Sequence, residues 1–90
     1  MFTEKDKELL HHAVNKWGYG AQELQCIEEC SELITAILHR NRNKCTNDDV
    51  ITEIADVTIM CEQLKLIYGA KLVDAEIRRK MNRLEERLAK

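Results

Sequence analysis

The chain has 90 residues, 44% hydrophobic and 33% charged, with a formal net charge of −2. That length makes a single domain, residues 1–90, with a modest core, and helical chains of this size often gain stability by oligomerising. The charge balance exerts no overall pull toward polymeric nucleic acid or an anionic membrane, no apolar run is long enough to span a bilayer, and Met1-Phe2-Thr3-Glu4-Lys5-Asp6 is no signal peptide, so a cytoplasmic location is expected.

Proline is absent and there are only three glycines, while Leu, Ile, Ala, Glu, Lys and Arg are frequent. Nothing breaks the long segments, and β-rich cores usually carry more aromatics, so the expected fold is all-α. Cys26 and Cys30 are one helical turn apart, Cys45 and Cys61 stand alone, and no Cys-x-x-Cys pair is present. Buried free thiols are expected rather than a zinc site or disulfides.

A first helix is predicted from Thr3 to about Trp17, with Thr3 as N-cap, Asp6 near a capping-box position, and Leu9, Leu10, Val14 and Trp17 as its apolar stripe. His11 and His12 are adjacent, point about 100° apart, and read as a solvated pair. Gly18-Tyr19-Gly20 turns the chain. A second helix is predicted from about Ala21 to Arg40. Its broad apolar arc comprises Leu24, Ile27, Cys30, Leu33, Ile34, Ile37 and Leu38, beside a strip of Gln22, Gln25, Glu29 and Glu32 that Ala36 continues. A typical solvated strip mixes signs, and this one carries only acids and amides.

The basic stretch Asn41-Arg42-Asn43-Lys44-Cys45 reads as a connection, after which Thr46 or Asn47 caps a third helix that runs to Tyr68 and stops at Gly69. Its apolar positions (Val50, Ile54, Val57, Cys61, Leu64 and Tyr68, flanked by Ile51, Ile59 and Leu66) leave little polar surface, as in an obligate oligomer. A fourth helix from about Leu72 to Leu88 carries the stripe Val73, Ile77, Met81, Leu84 and Leu88, with Arg78, Arg79, Lys80, Arg83 and Arg87. These cations are either long side chains covering apolar surface at a helix C-terminus or a cationic wall opposite the acids. Short connections join the four helices, so a four-helix bundle-like subunit that oligomerises is the expected architecture.

Two acidic pairs stand out, Glu29 with Glu32 and Glu53 with Asp56. Residues three apart on a helix are surface neighbours, so each pair can converge on one ion. Glu53 and Asp56 also fall on the stripe that Met60 and Ile67 continue. Ionised acids against a core are costly unless paired or bound to a metal. An all-oxygen ligand set without Glu-x-x-His spacing suits Mg²⁺ or Mn²⁺ rather than zinc or a di-iron centre. Mg²⁺ is commonly shared with substrate phosphates, which points to attack of water on phosphorus. The competing structural reading is a set of surface acids paired with Lys or Arg.

Glu28-Glu29-x-x-Glu32, twenty residues, then Glu53-x-x-Asp56 resembles the EExxE…ExxD signature of the MazG-like all-α nucleotide pyrophosphohydrolases. Gly20-Ala21-Gln22, Glu32-Leu33-Ile34 and Glu53-Ile54-Ala55-Asp56-Val57 extend the similarity from Trp17 to Gly69, and Lys80-Met81-Asn82-Arg83 continues it more weakly. The resemblance implies a Mg²⁺-dependent enzyme of the nucleotide pool, with Mn²⁺ as a possible substitute. It would cleave a nucleoside triphosphate between the α- and β-phosphates to a monophosphate and pyrophosphate, acting as a homodimer or homotetramer. It assigns Glu29, Glu32, Glu53 and Asp56 as metal ligands, and Glu28 as a residue that orients the attacking water or flanks the site. Lys80 and Arg83 become contacts to the β- and γ-phosphates, and Gln22 and Trp17 neighbours of the base or sugar. Asp49 departs from relatives that carry a basic residue one turn before the ExxD motif. The alternative is a non-catalytic helical module on the same scaffold, binding metal or a protein partner.

Overall fold

The computed structural model describes all 90 residues as four helices without strands: α1 (Glu4–Trp17), α2 (Tyr19–Asn41), α3 (Asn47–Tyr68) and α4 (Ala70–Leu88). The Asp6 N–H donates to the Thr3 hydroxyl while the Thr3 N–H donates to the Asp6 carboxylate, both at 3.0 Å, a reciprocal cap at the start of α1. The backbone bond from Thr3 also holds the Asp6 carboxyl below its ordinary range. At the start of α3, Asp49 accepts from both the N–H and the hydroxyl of Thr46, at 2.9 and 3.1 Å.

The break between α1 and α2 is tighter than the sequence suggests. Gly18 alone turns the chain, with φ 90° and ψ 157°, whereas Tyr19 and Gly20 already belong to α2. Side-chain-bearing residues avoid that conformation, so one glycine permits a joint without a loop. Gly69, at φ 114°, does the same between α3 and α4. The connection from α2 to α3 winds back on itself: the Lys44 N–H donates to the His39 carbonyl at 2.7 Å, and Asn43 takes the left-handed φ of 58°.

α2 and α3 pair along their length, whereas α1 touches α2 and α3 more sparingly and α4 touches only α3. The α2 residues turned inward are Gln22, Cys26, Glu29, Leu33 and Ala36, spaced four and three apart, and all are buried or half-buried. The packing seam thus runs through Gln22, Glu29 and Ala36 of the strip of acids and amides together with Cys26 and Leu33, Gln25 and Glu32 stay exposed beside it, and most of the broad apolar arc faces outward. Leu24, Ile27, Ile34, Ile37 and Leu38 are exposed, as are Ile51, Ile54 and Ile59 on α3. This reverses the packing face expected of α2. The facing stripe of α3 is likewise partly polar, since Glu53 and Asp56 are half-buried and Met60 and Gln63 buried.

α4 does not close a bundle. Residues 74–90 are all exposed, including Ile77, Met81, Leu84 and Leu88. The helix is tied down beyond Gly69 by Lys65, whose ammonium contacts Asp74 at 2.7 Å and Glu62 at 3.3 Å. The radius of gyration is 15.6 Å, against about 12 Å for a compact chain of this length. The thiols also depart partly from expectation: Cys26 is buried, Cys30 and Cys45 are half-buried, and Cys61 is exposed. No helix is long and apolar enough to cross a membrane.

Gly18→Ala should destabilise the chain by about 1–3 kcal/mol, because alanine strains that φ/ψ. Gly20→Ala, inside α2 with open space around the added methyl, should instead be neutral or gain up to about 1 kcal/mol. Urea unfolding of the two variants against the parent checks both signs.

Candidate functional site

The α2–α3 seam brings three carboxylates together. Ligand atoms of Glu29, Glu53 and Asp56 lie within 4.8 Å of one another, and all three residues are half-buried. Helix geometry produces this convergence: Glu29 sits in the middle of the inward stripe of α2, and Glu53 and Asp56 are three apart on the facing side of α3. Glu29 Oε1 accepts a hydrogen bond from Gln25 Nε2 at 2.9 Å, one turn earlier on α2. Glu29 Oε2 and Glu53 Oε2 are buried with no hydrogen-bond partner. Carboxylate oxygens in that state resist both desolvation and their neighbours' charge.

The electrostatics of Glu29 reflect this competition. The Gln25 amide favours the carboxylate, but desolvation and the negative charge of Glu32 and Asp56 oppose it and together prevail. The Glu29 carboxyl therefore lies above its ordinary value of 4.5. Glu32 is close enough to influence Glu29 but stays exposed at the rim, outside the tight trio. Glu28 is exposed, outside both the trio and the cavities beside it. Asp49 is bound to Thr46, so its charge serves the N-cap of α3.

The acids lie between two cavities. One, of about 590 Å³, is walled by α1, α2 and α3 and lined by Leu10, Ala13, Trp17, Ala21, Gln22, Gln25, Ile59, Met60 and Gln63. The other, of about 410 Å³, is more polar and is lined by Ser31, Glu32, Thr35, Ala36, His39, Cys45, Asp49 and Glu53. Trp17 and Gln22 thus share a wall, Trp17 largely exposed and Gln22 buried. Gln25 links that wall to the trio. Lys80 and Arg83 lie on α4, which touches only α3, and neither cavity is lined by lysine or arginine. Within one chain they stand apart from the acids.

Gln63 is a residue that the sequence reading passed over. It is 2% exposed, and its Nε2 donates to the Leu10 carbonyl of α1 at 3.3 Å while its Oε1 has no partner. Its position is legible afterwards, because it falls between Met60 and Ile67 on the stripe of Glu53 and Asp56.

The cluster suits a hard divalent cation: all its donors are oxygens, and two of them are buried without any other partner. Matched against family models, curated proteins and solved structures, the chain finds no similar partner in any of the three comparisons.

The raised Glu29 carboxyl has a defined sign in the metal-free protein. Its protonated form is favoured by folding, so its contribution to stability is present below the ordinary value of 4.5 and lost as pH rises through the folded-state value. Denaturant midpoints measured from pH 4.5 to 7.5 in a chelator should therefore contain a component that declines upward, and Glu29→Gln should remove it.

Proposed function

We propose that the chain is a Mg²⁺-dependent nucleotide pyrophosphohydrolase of the MazG-like kind, cleaving a nucleoside or deoxynucleoside triphosphate to the monophosphate and pyrophosphate. The observation that carries this reading is the convergence of Glu29, Glu53 and Asp56 with two buried, unpartnered oxygens. Surface acids in ion pairs would have no such oxygens, and none of the three is within salt-bridge distance of a cation. The EExxE…ExxD pattern supplies the reaction class.

In this reading Glu29, Glu53 and Asp56 hold the cation, and Glu32 completes the set from the rim. A bound Mg²⁺ supplies positive charge to the phosphate oxygens and acidifies water, with Mn²⁺ as a substitute. The Gln25 amide fixes the direction in which Glu29 presents its second oxygen. The cavity with Trp17 and Gln22 takes the base and sugar, leaving the triphosphate to cross the acids toward the polar cavity of Glu32, Thr35 and His39. Glu28, one residue before Glu29 and in solvent, flanks this path.

The missing cations come from a second copy of the chain. Accessible surface is 7129 Å², about 1,700 Å² more than a compact monomer of this mass exposes. That excess per chain is of the size buried in obligate homo-oligomers. It is apolar where it matters: Cys26, Ile27, Cys30, Ile34, Leu64 and Tyr68 line an open groove of about 500 Å³ on the α2–α3 hairpin, and α4 offers a matching stripe. A homodimer, or a homotetramer of paired dimers, buries both. It also places Lys80 and Arg83 of one chain near the acids of another, where they meet the β- and γ-phosphates.

The same exposed faces would serve a non-catalytic interaction module, and turnover separates the two. Purified protein with Mg²⁺ should release pyrophosphate, not single phosphate, from at least one nucleotide of an NTP and dNTP panel, and EDTA should stop it. Glu53→Gln and Asp56→Asn should each lower kcat/KM by at least about a hundredfold with helicity retained. Undiminished release by either variant would remove the site assignment, and silence across the panel would favour the module.

Sedimentation should give a dimer or tetramer whose melting temperature rises with protein concentration. Ile34→Glu, a charge in the apolar groove, should shift it toward monomer and cost activity together with assembly. A parent chain that sediments as a monomer throughout would refute the shared site.

A further inference from the structure

Three of the four thiols form a cluster of their own, outside the carboxylate site. Cys26 and Cys30 lie one turn apart on α2, and Cys61 comes from the facing helix α3. The Cys26 thiol sits beside both of the others. Cys45 is held apart, donating to the Ala36 carbonyl at 3.3 Å. All four are free. The cluster is graded in exposure: Cys26 is 6% exposed, Cys30 is half-buried and Cys61 is open to solvent. Cys26 and Cys30 line the apolar groove together with Leu64 and Tyr68 of α3. Cys61, three and seven residues before those two, extends the same face of α3. Only the carboxylate trio gathers three ligand atoms within 4.8 Å, so the sulfurs suit a reaction of two at a time rather than a shared ion.

Cys26 has two neighbours to react with, and helix geometry separates them. Residues four apart on a helix keep their β-carbons about 5–6 Å apart, whereas a disulfide holds them at about 3.5–4.5 Å. A Cys26–Cys30 bond would therefore distort the turn of α2 that carries Glu29. Cys61 approaches from the other helix, where side-chain rotation and a small shift of one helix against the other close the gap with both backbones intact. Exposure sets the order of events. Cys61 is the thiol that an oxidant in solution reaches first. Cys26, kept protonated by burial and by its two neighbours, waits behind it.

We propose that Cys26 and Cys61 form a dithiol–disulfide site that takes a peroxide as its oxidant and cross-links α2 to α3. In the first step hydrogen peroxide transfers one oxygen to the Cys61 sulfur, giving the sulfenic acid and water. In the second, the Cys26 sulfur attacks the Cys61 sulfur. The S–S bond forms, the S–O bond breaks, and the hydroxyl leaves as water with the Cys26 proton. Two thiols and one peroxide thus give one disulfide and two waters, and an external dithiol reverses the bond by exchange. The link lies three residues before Glu29 and five after Asp56. It fastens the seam next to the carboxylates and uses none of them.

The test needs neither metal nor nucleotide, so it stands or falls separately from hydrolysis. The full chain, freed of reductant, is treated with hydrogen peroxide until the Cys61 thiol is consumed, then denatured in iodoacetamide and weighed. The expected product is a chain lacking two hydrogens, with two thiols alkylated in place of four. Fragmentation should place the link between Cys26 and Cys61 of one chain. Its rate should be unchanged by about tenfold dilution of the protein, as for an intramolecular step, and dithiothreitol should restore all four thiols. Cys61→Ser, at an exposed position, should leave its three thiols free at the same dose, and Cys30→Ser should still form the link. Circular dichroism checks that both variants remain helical, and should either fail to fold, the mapping in the parent decides by itself. A link from Cys26 to Cys30, a link through Cys45 or between chains, or sulfinic acid at Cys61 without any link would each overturn the proposal. So would a disulfide that persists in folded Cys61→Ser protein, or a Cys61 that outlasts the other thiols.

Discussion

The structure depends on a helix pair whose seam is polar. α2 and α3 meet through Gln22, Cys26, Glu29, Leu33 and Ala36 on one side and Glu53, Asp56, Met60 and Gln63 on the other. An ordinary helical hairpin would fill those positions with aliphatic side chains and bury them at a gain of about 1.5–3 kcal/mol each. Here the central positions hold carboxylates with unpartnered oxygens and an amide with an idle acceptor. The seam is held at its ends and beside the acids by small and sulfur-bearing side chains, while the aliphatic residues that would normally supply the core face outward.

Much of this was legible in the chain itself. All four helices, the Thr3 cap, Gly69 as a stop and the inward position of Glu53 and Asp56 follow from spacing, because helical periodicity and turn chemistry are local. What periodicity did not reveal was which of two faces of α2 packs. The broad apolar arc had the stronger hydrophobic signal, yet the seam runs through Gln22, Glu29 and Ala36 of the narrower strip. A hydrophobic face records what must leave water, without saying whether the same chain or another covers it. The bundle-like packing of four helices expected from the sequence is found in a somewhat extended form, with α4 lying along no helix but α3. Gln63 was missed because glutamine in a helix is usually solvated, and only its three-dimensional position, under Leu10 of α1, makes it otherwise.

The site and the surface are two expressions of one allocation. Carboxylates on the inside suit a cation between the helices. The aliphatic residues displaced to the outside suit a neighbour, and in the proposed assembly that neighbour brings the basic side chains that one chain keeps away from its own acids. Thiol chemistry follows the same division. Burial, with Cys30 and Cys61 beside it, pushes the Cys26 thiol up to about 11, so it stays protonated and packs as a small apolar group.

The short Arg42–Thr46 turn has a kinetic consequence. Two helices of similar length joined by so few residues find each other at little loop-closure cost, so the α2–α3 hairpin is the natural nucleus, on the fast timescale of helical proteins. α1 adds contacts through one glycine joint, while α4 adds few and none with α2. A chain built this way gains its polar centre early and its apolar cover late. In the proposed assembly the slow step is then the covering of Ile27, Ile34 and their neighbours, which stay exposed to water until a second copy arrives.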